Sequence, residues 1–466
     1  MNTSTYTSID YDWLTKPTGD PFANAGGYAL KVFSETFPED DILQLISRAS
    51  DIYVDRWDSK LNTFFLNSKI TQPSFKPVQK KQETLKYFKS LLNDVDALKG
   101  FCRISGRNTS IFPAGRDNSV LSGSGKFVNF HHSFDNGIML SKEMLVRLFF
   151  LPLGIRLLSG KVCVIDSNNS DVAVKFAEDN CKNVLADIAK NCSDGVLKSP
   201  SAAPSTELFR FADHIIKNSN EIDKDCSLTL YLFTNFGAKP ELDIYTLPLE
   251  GMSFYRFANS AKYKDDWNTF VATKYFSYDF KKAEYNKTTG QYLYNDKKNG
   301  NQTIEEDQFK YWKNSVYEKF INGVSILPEI LKWSKENKFN FDIVKFYEIK
   351  VRKMKKETIN KIEQMADFIF EANTDKFSIN KAIKKLYAVD SSYDLRRFVL
   401  KDIVAKYYEK HAEEEQAIIT VNDYTNYLFP DTDSWKETRD VLIIALFQKL
   451  HEKNMQIEIE EEQQEN

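Results

Sequence analysis

SLTLYLFTNFGAKPELDIYTL, residues 227–247, decides how the chain divides. SLTLYLFTNF and LDIYTL are rich in β-branched and aromatic side chains, which suit a pleated surface, and GAKPE between them carries the glycine and proline of a turn. The pair reads as a hairpin with a loop of several residues. Upstream, the apolar run MLVRLFFLPLGIRLL (144–158) is interrupted by Pro152 and Gly154, and GKVCVIDSNN (160–169) reads as a buried strand ending in an Asn-rich turn. Beyond the hairpin the strands stop. NKTTGQYLYNDKKNGNQT (286–303) is polar enough for a mobile insertion, and from about Phe309 the pattern is helical to the end.

That helical part carries the clearest periodicity. Ile359, Ile362, Ala366 and Ile369 share one helical face, and Leu395, Val399, Ile403 and Tyr407 repeat the arrangement at steps of four. Ser434 and Glu437 have the spacing of a capping box ahead of VLIIALF. The opening TKPTGDPFANAGGYALKVF predicts a helix over 25–36, with more helical pattern at 42–54. The Gly/Ser/Asn/Arg-rich stretch 101–130 predicts a long ordered loop, and VLKSPSAAPSTE (196–207) a linker or surface loop. The fold class is therefore α+β, with a mixed domain at 1–340 made of short strands and long loops, followed by a helical bundle at 341–466.

Composition narrows the function. Among 466 residues, 35 Phe and 23 Tyr with 42% hydrophobic content mark a globular protein. No apolar run approaches a transmembrane span, and MNTSTYTSIDYDW lacks a secretory pattern, so the expectation is a cytoplasmic protein with no membrane partner. Five cysteines, none spaced C-x-x-C, argue against a disulfide framework and an intact zinc site. The net charge of −3 confines nucleic-acid contact to local patches, offset by acidic segments such as 458–462.

LSGSGKFVNFHH (121–132) imitates a phosphate-binding Walker loop without completing it: Gly125 and Lys126 fit, but Phe127 replaces the hydroxyl residue and Val120 the first glycine. His131, His132 and Asp135 suggest a metal-dependent nuclease or hydrolase. A polar turn is the stronger reading, because alternate residues of a strand face opposite ways. No nucleophile signature is present. Two stretches carry a nucleic-acid signature. In RISGRNTSIFPAGRDNSVLSGSGKFVNF (103–130), Arg103, Arg107, Arg116 and Lys126 supply charge. Asn108, Asn118 and Asn129 offer paired donor and acceptor groups to base edges, and Ser122 and Ser124 flank the glycines that let backbone approach phosphate. In KVRKMKK (350–356), Lys350, Arg352, Lys353, Lys355 and Lys356 open the bundle, with Arg396 and Arg397 further on. The plain alternatives are arginines paired to carboxylates and a solvated helical face.

The order TGDPFANAGGYAL (18–30), FCRISGR (101–107), PAGRDN (113–118), SGSGKFVNFHH (122–132), FFLPLG (149–154) and GKVCVIDSNN resembles the large subunit of type I CRISPR interference (Cascade) complexes, nearest the Cst-like subtype I-B branch. The resemblance implies a non-catalytic protein without cofactor. Such a subunit caps the crRNA 5′ handle end, reads the protospacer-adjacent motif (PAM) in target double-stranded DNA and recruits the helicase-nuclease. Its partners would be the crRNA, the DNA, and the backbone, handle-binding and small subunits. Lys126 would then lie on a phosphate and Asn129 on a base edge, while GDPFANAGG would start a helix that takes a phosphate or packs on a neighbouring subunit. The departure is zinc: relatives carry two C-x-x-C pairs here, whereas only Cys102 remains of the first and NGIMLSKEM (136–144) replaces the second. In relatives the helical bundle is also made alone from an internal start, for which Met354, and less well Met365, is placed here.

Overall fold

The computed structural model describes residues 1–123, 137–218, 226–234, 241–296, 300–373, 375–411, 416–431 and 434–455. They form an α+β protein in two compact units, Met1–Leu249 and Glu250–Asn466.

The first unit contains α1 (Pro21–Thr36), α2 (Ile42–Asp51), α3 (Pro77–Leu92), β1 (Leu98–Phe101), β2 (Asn108–Ala114), β3 (Ile138–Ser141), α4 (Lys142–Phe150), β4 (Arg156–Leu158), β5 (Lys161–Ser167), α5 (Ser170–Ala189), α6 (Pro204–Asn218), β6 (Leu228–Thr234) and β7 (Glu241–Leu247). The expected hairpin is β6–β7, paired from Leu228 with Leu247 to Thr234 with Glu241, and the expected strand is β5. Together with β4 they make one antiparallel sheet in the order β4-β5-β6-β7.

Helix α1 lies at the centre, packed on α4 and α5. It starts four residues earlier than the sequence suggests, because Asp20 accepts the Ala23 N–H at 2.7 Å and Pro21 occupies the first turn. Gly26 permits the contact with α4: a Cβ there would sit 2.0 Å from the Arg147 carbonyl oxygen. The Arg147 side chain is fully buried. Its Nε donates to Ala23 O at 2.7 Å, Nη1 to Lys16 O at 2.7 Å and Trp13 O at 3.2 Å, and Nη2 to Asn24 Oδ1 at 2.9 Å. GDPFANAGG is thus a packing motif, and the Asp20 carboxylate already occupies the helix N-terminus where a phosphate was one expectation.

Two loops of the sequence reading are more regular than expected. Within 101–130, NTSIFPA forms β2 between β1 and β3. Its Ser110, Ile111, Phe112 and Ala114 are buried, and Pro113 lies beyond the reach of β1, where its missing N–H costs no bond on that side. The stretch 196–207 is no surface linker. Leu157 N–H donates to Leu197 O and Ser199 N–H to Leu157 O, both at 2.7 Å, while the Ser199 and Ser201 hydroxyls donate to buried Glu207. The serines are there to satisfy a carboxylate, which they and the flanking Arg156 and Arg210 hold below its ordinary pKa against the opposing effect of burial.

The second unit contains α7 (Leu249–Ala258), α8 (Lys264–Ala272), β8 (Tyr275–Phe276), β9 (Glu284–Asn286), β10 (Gln291–Asp296), β11 (Gly300–Ile304), α9 (Glu306–Phe309), β12 (Lys313–Asn314), α10 (Ser315–Ile321), α11 (Leu327–Glu336), α12 (Phe341–Phe346), α13 (Lys356–Ala372), α14 (Lys376–Tyr387), α15 (Ser392–Phe398), α16 (Ala405–Lys410), α17 (Val421–Asp423) and α18 (Trp435–Glu452). Strands therefore do not stop at the hairpin. The expected mobile insertion holds the last residue of β9, all of β10 and most of β11, a small antiparallel sheet anchored by Tyr292, which packs on Phe309 and Trp312. A single buried ring outweighs the polar neighbours.

Helix α18 is the axis of this unit. Val441 to Phe447 are all buried, as in a helix surrounded by others, and α11, α12, α13, α14 and α15 all pack on it. Because α11 belongs to this packing, the helical unit reaches upstream of residue 341. Ser434 stands before α18 but makes no side-chain cap: its hydroxyl bonds Asp431, and Glu437 pairs with Arg352 instead. Capping boxes occur at Asp41 with Gln44 and at Thr420 with Asp423. The residues Leu395, Val399 and Ile403, spaced by four, are buried through a π-helical segment at Val399–Val404, whose wider turn keeps them on one face. No helix among the described residues is long and apolar enough to cross a membrane.

Candidate nucleic-acid interface

Strands β1 and β2 pair antiparallel from Leu98 with Ile111 to Phe101 with Asn108, and residues 102–107 close the hairpin. Cys102 N–H donates to Arg107 O at 2.9 Å and Gly106 N–H to Cys102 O at 2.8 Å; Gly106 takes φ 68°, which suits glycine. Arg103 N–H donates to Met139 O of β3 at 3.0 Å, so the hairpin end is fixed while the Arg103 and Asn108 side chains stay exposed. Phe101, opposite Asn108, is 66% exposed. Sequence reasoning passed over this ring; the signal available was an aromatic two positions before an arginine.

Arg107 turns inward. Nη2 donates to Asp10 Oδ2 at 2.7 Å, and the guanidinium lies 4.9 Å from the centre of the Trp13 ring. Asn118 is internal too. Its Oδ1 accepts the Gly115 N–H at 2.9 Å, so its Nδ2 must be the group that donates to the Tyr87 hydroxyl at 2.9 Å. Burial pushes the Tyr87 pKa up to about 12. Ser122 is buried, its hydroxyl donating to Ser119 O at 3.1 Å. Arg116 is exposed, with its backbone held by Leu66 N–H at 2.7 Å and by Gly123 O at 2.9 Å. The structure thus brings Phe101, Arg103 and Asn108 together on one exposed hairpin end and leaves Arg107, Asn118 and Ser122 as scaffold. Ser124, Lys126, Asn129, His131, His132 and Asp135 lie outside the described residues.

In the second unit KVRKMKK is no continuous helical face. A π-helical segment ends at Val351, Lys353 takes φ 64°, and α13 begins at Lys356. Arg352 donates to Glu437 Oε1 at 2.9 and 2.6 Å, Lys353 pairs with Glu250 at 2.7 Å, and Lys355 donates to Asn426 O at 3.2 Å. Lys350 and Lys356 are exposed. Arg396 lies 5.2 Å from the Phe429 ring centre, and Arg397 is exposed.

Among the described residues no group of three or more His, Cys, Asp and Glu sits together to hold a metal. Cys102, Cys163, Cys181 and Cys226 are buried and unbridged, and Cys192 is exposed. Compared with protein-family models and with curated proteins, the chain matches none.

Proposed function

We propose that this chain is a non-catalytic nucleic-acid-binding protein, the large subunit of a type I CRISPR surveillance complex that contacts a short motif in target duplex DNA next to the crRNA 5′ handle. The motif order in residues 18–169 supports the family. The single observation that carries nucleic-acid binding is the exposed hairpin end: Arg103 offers a cation for phosphate, Asn108 a two-way hydrogen-bonding edge for a base, and Phe101 a ring for stacking. Association with backbone, handle-binding and small subunits and with the helicase-nuclease follows from the same reading.

Fluorescence anisotropy of the full chain against duplexes with a randomised short motif tests the proposal. The expected result is salt-dependent binding with a preferred motif, weakened at least tenfold in the F101A/R103A/N108A variant. Equal affinity of variant and parent for every duplex would reject the interface.

A further inference from the structure

Between α3, α4, residues 65–70 and the loop that follows β2 lies a pocket of about 150 Å³. Its walls are Phe65, Phe88 and Phe149; the Phe88 and Phe149 ring centres are 4.8 Å apart, and Phe65 stacks on Phe149 at 6.3 Å. Lys69 and Asp117 stand exposed at its mouth. Three hydroxyls line it, of which that of Ser68 bonds Thr71 and the other two remain for a ligand. Thr84 is buried, and its Oγ1 has no partner among the described residues. Tyr87 accepts from Asn118, which leaves its own proton free to donate.

The volume is below the roughly 300 to 1,000 Å³ of typical small-molecule sites, so the pocket fits one ring belonging to a larger partner. A hydrocarbon ring would leave the Thr84 hydroxyl unpaired inside an apolar pocket, which is unfavourable. A heterocycle with acceptors along its edge would take both hydroxyl protons while its faces meet the aromatic walls. Asp117 and Asn118 of the lining belong to the loop that continues from the hairpin, and Arg116 beside them is exposed. We propose that this pocket receives one extruded base of the nucleic acid bound along the hairpin and the 115–123 loop. The inference rests on the nucleic-acid reading above, and it makes one nucleotide position a recognised, unstacked base.

The test uses the full chain and the preferred duplex from the randomised set, with a single abasic nucleotide placed at each position in turn. One position is expected to cost roughly 5- to 100-fold in affinity, the range set by base stacking on aromatic residues. Thr84→Val is expected to weaken binding to the intact duplex and to lose nothing further when that position is abasic; Tyr87→Phe serves the same purpose should Thr84→Val fail to fold. A flat abasic series, with both hydroxyl variants binding like the parent, overturns the pocket and leaves the hairpin reading standing. No binding to any duplex by the parent overturns both. Separately, nucleosides and N-acetyltyrosinamide titrated against the protein by NMR identify the ring. Shifts at Thr84 and Phe88 with nucleosides support the proposal, whereas shifts with N-acetyltyrosinamide alone assign the pocket to a side chain of a protein partner and overturn it.

Discussion

Replacing Glu348 by Gln should remove a large part of the pH dependence of stability in the second unit. Glu348 lies fully buried in the π-helical segment Tyr347–Val351, and neither carboxyl oxygen has a partner among the described residues. Burial first, then the nearby Glu437 and Asp440 of α18, push its pKa from 4.5 to about 8, while Arg352 pulls the other way. The folded value lies above the unfolded one, so between these pH values the unfolded chain binds fewer protons than the folded chain. Stability is then full below about pH 4.5 and is lost as pH rises towards 8. At about 1.4 kcal/mol per pH unit, the loss from pH 6 to pH 9 is about 3 kcal/mol. Urea unfolding of the full chain at both pH values, followed by tryptophan fluorescence, measures it. The Gln variant should lack that slope, and the difference between the two proteins isolates Glu348 from the other groups that titrate. Identical pH dependence of parent and variant would refute a buried, protonated carboxyl.

Arg147→Met should destabilise the first unit by about 3 to 5 kcal/mol in urea unfolding, because Ala23 O, Lys16 O and Asn24 Oδ1 lose a buried charged donor. Arg107→Ala should cost only about 1 kcal/mol, the scale of a partly exposed ion pair with a ring contact, and should leave duplex affinity closer to the parent than Arg103→Ala does. A fragment starting at Met354 lacks α11 and α12, which pack on α18, so it should bind a hydrophobic dye and unfold without a sharp transition, unlike a 250–466 fragment. Equally sharp transitions for the two fragments would show that the bundle is complete from Met354.

The sequence by itself determined the elements whose signal is local. The β6–β7 hairpin and strand β5 follow from runs of β-branched, aromatic and apolar residues bounded by turn residues, and the apolar stripe of α13 from steps of three and four, because such signals need no partner distant in sequence. The nucleic-acid candidates were legible as a set, since clustered arginine, asparagine and glycine is a property of composition. Which of them face outwards was not. Arg103 and Arg107 are four residues apart in one turn-rich stretch, yet only the placement of Asp10 and Trp13, nearly a hundred residues away, draws Arg107 inward. Tyr87 takes Asn118 from the interface in the same way, and Arg352 takes Glu437 from its capping box. The small sheet around Tyr292 and the roles of Ser199 and Ser201 were hidden because one aromatic ring, or one buried carboxylate in need of donors, outweighs a polar neighbourhood. Partners distant in sequence decide such cases, and only the tertiary structure brings them within hydrogen-bonding or packing distance.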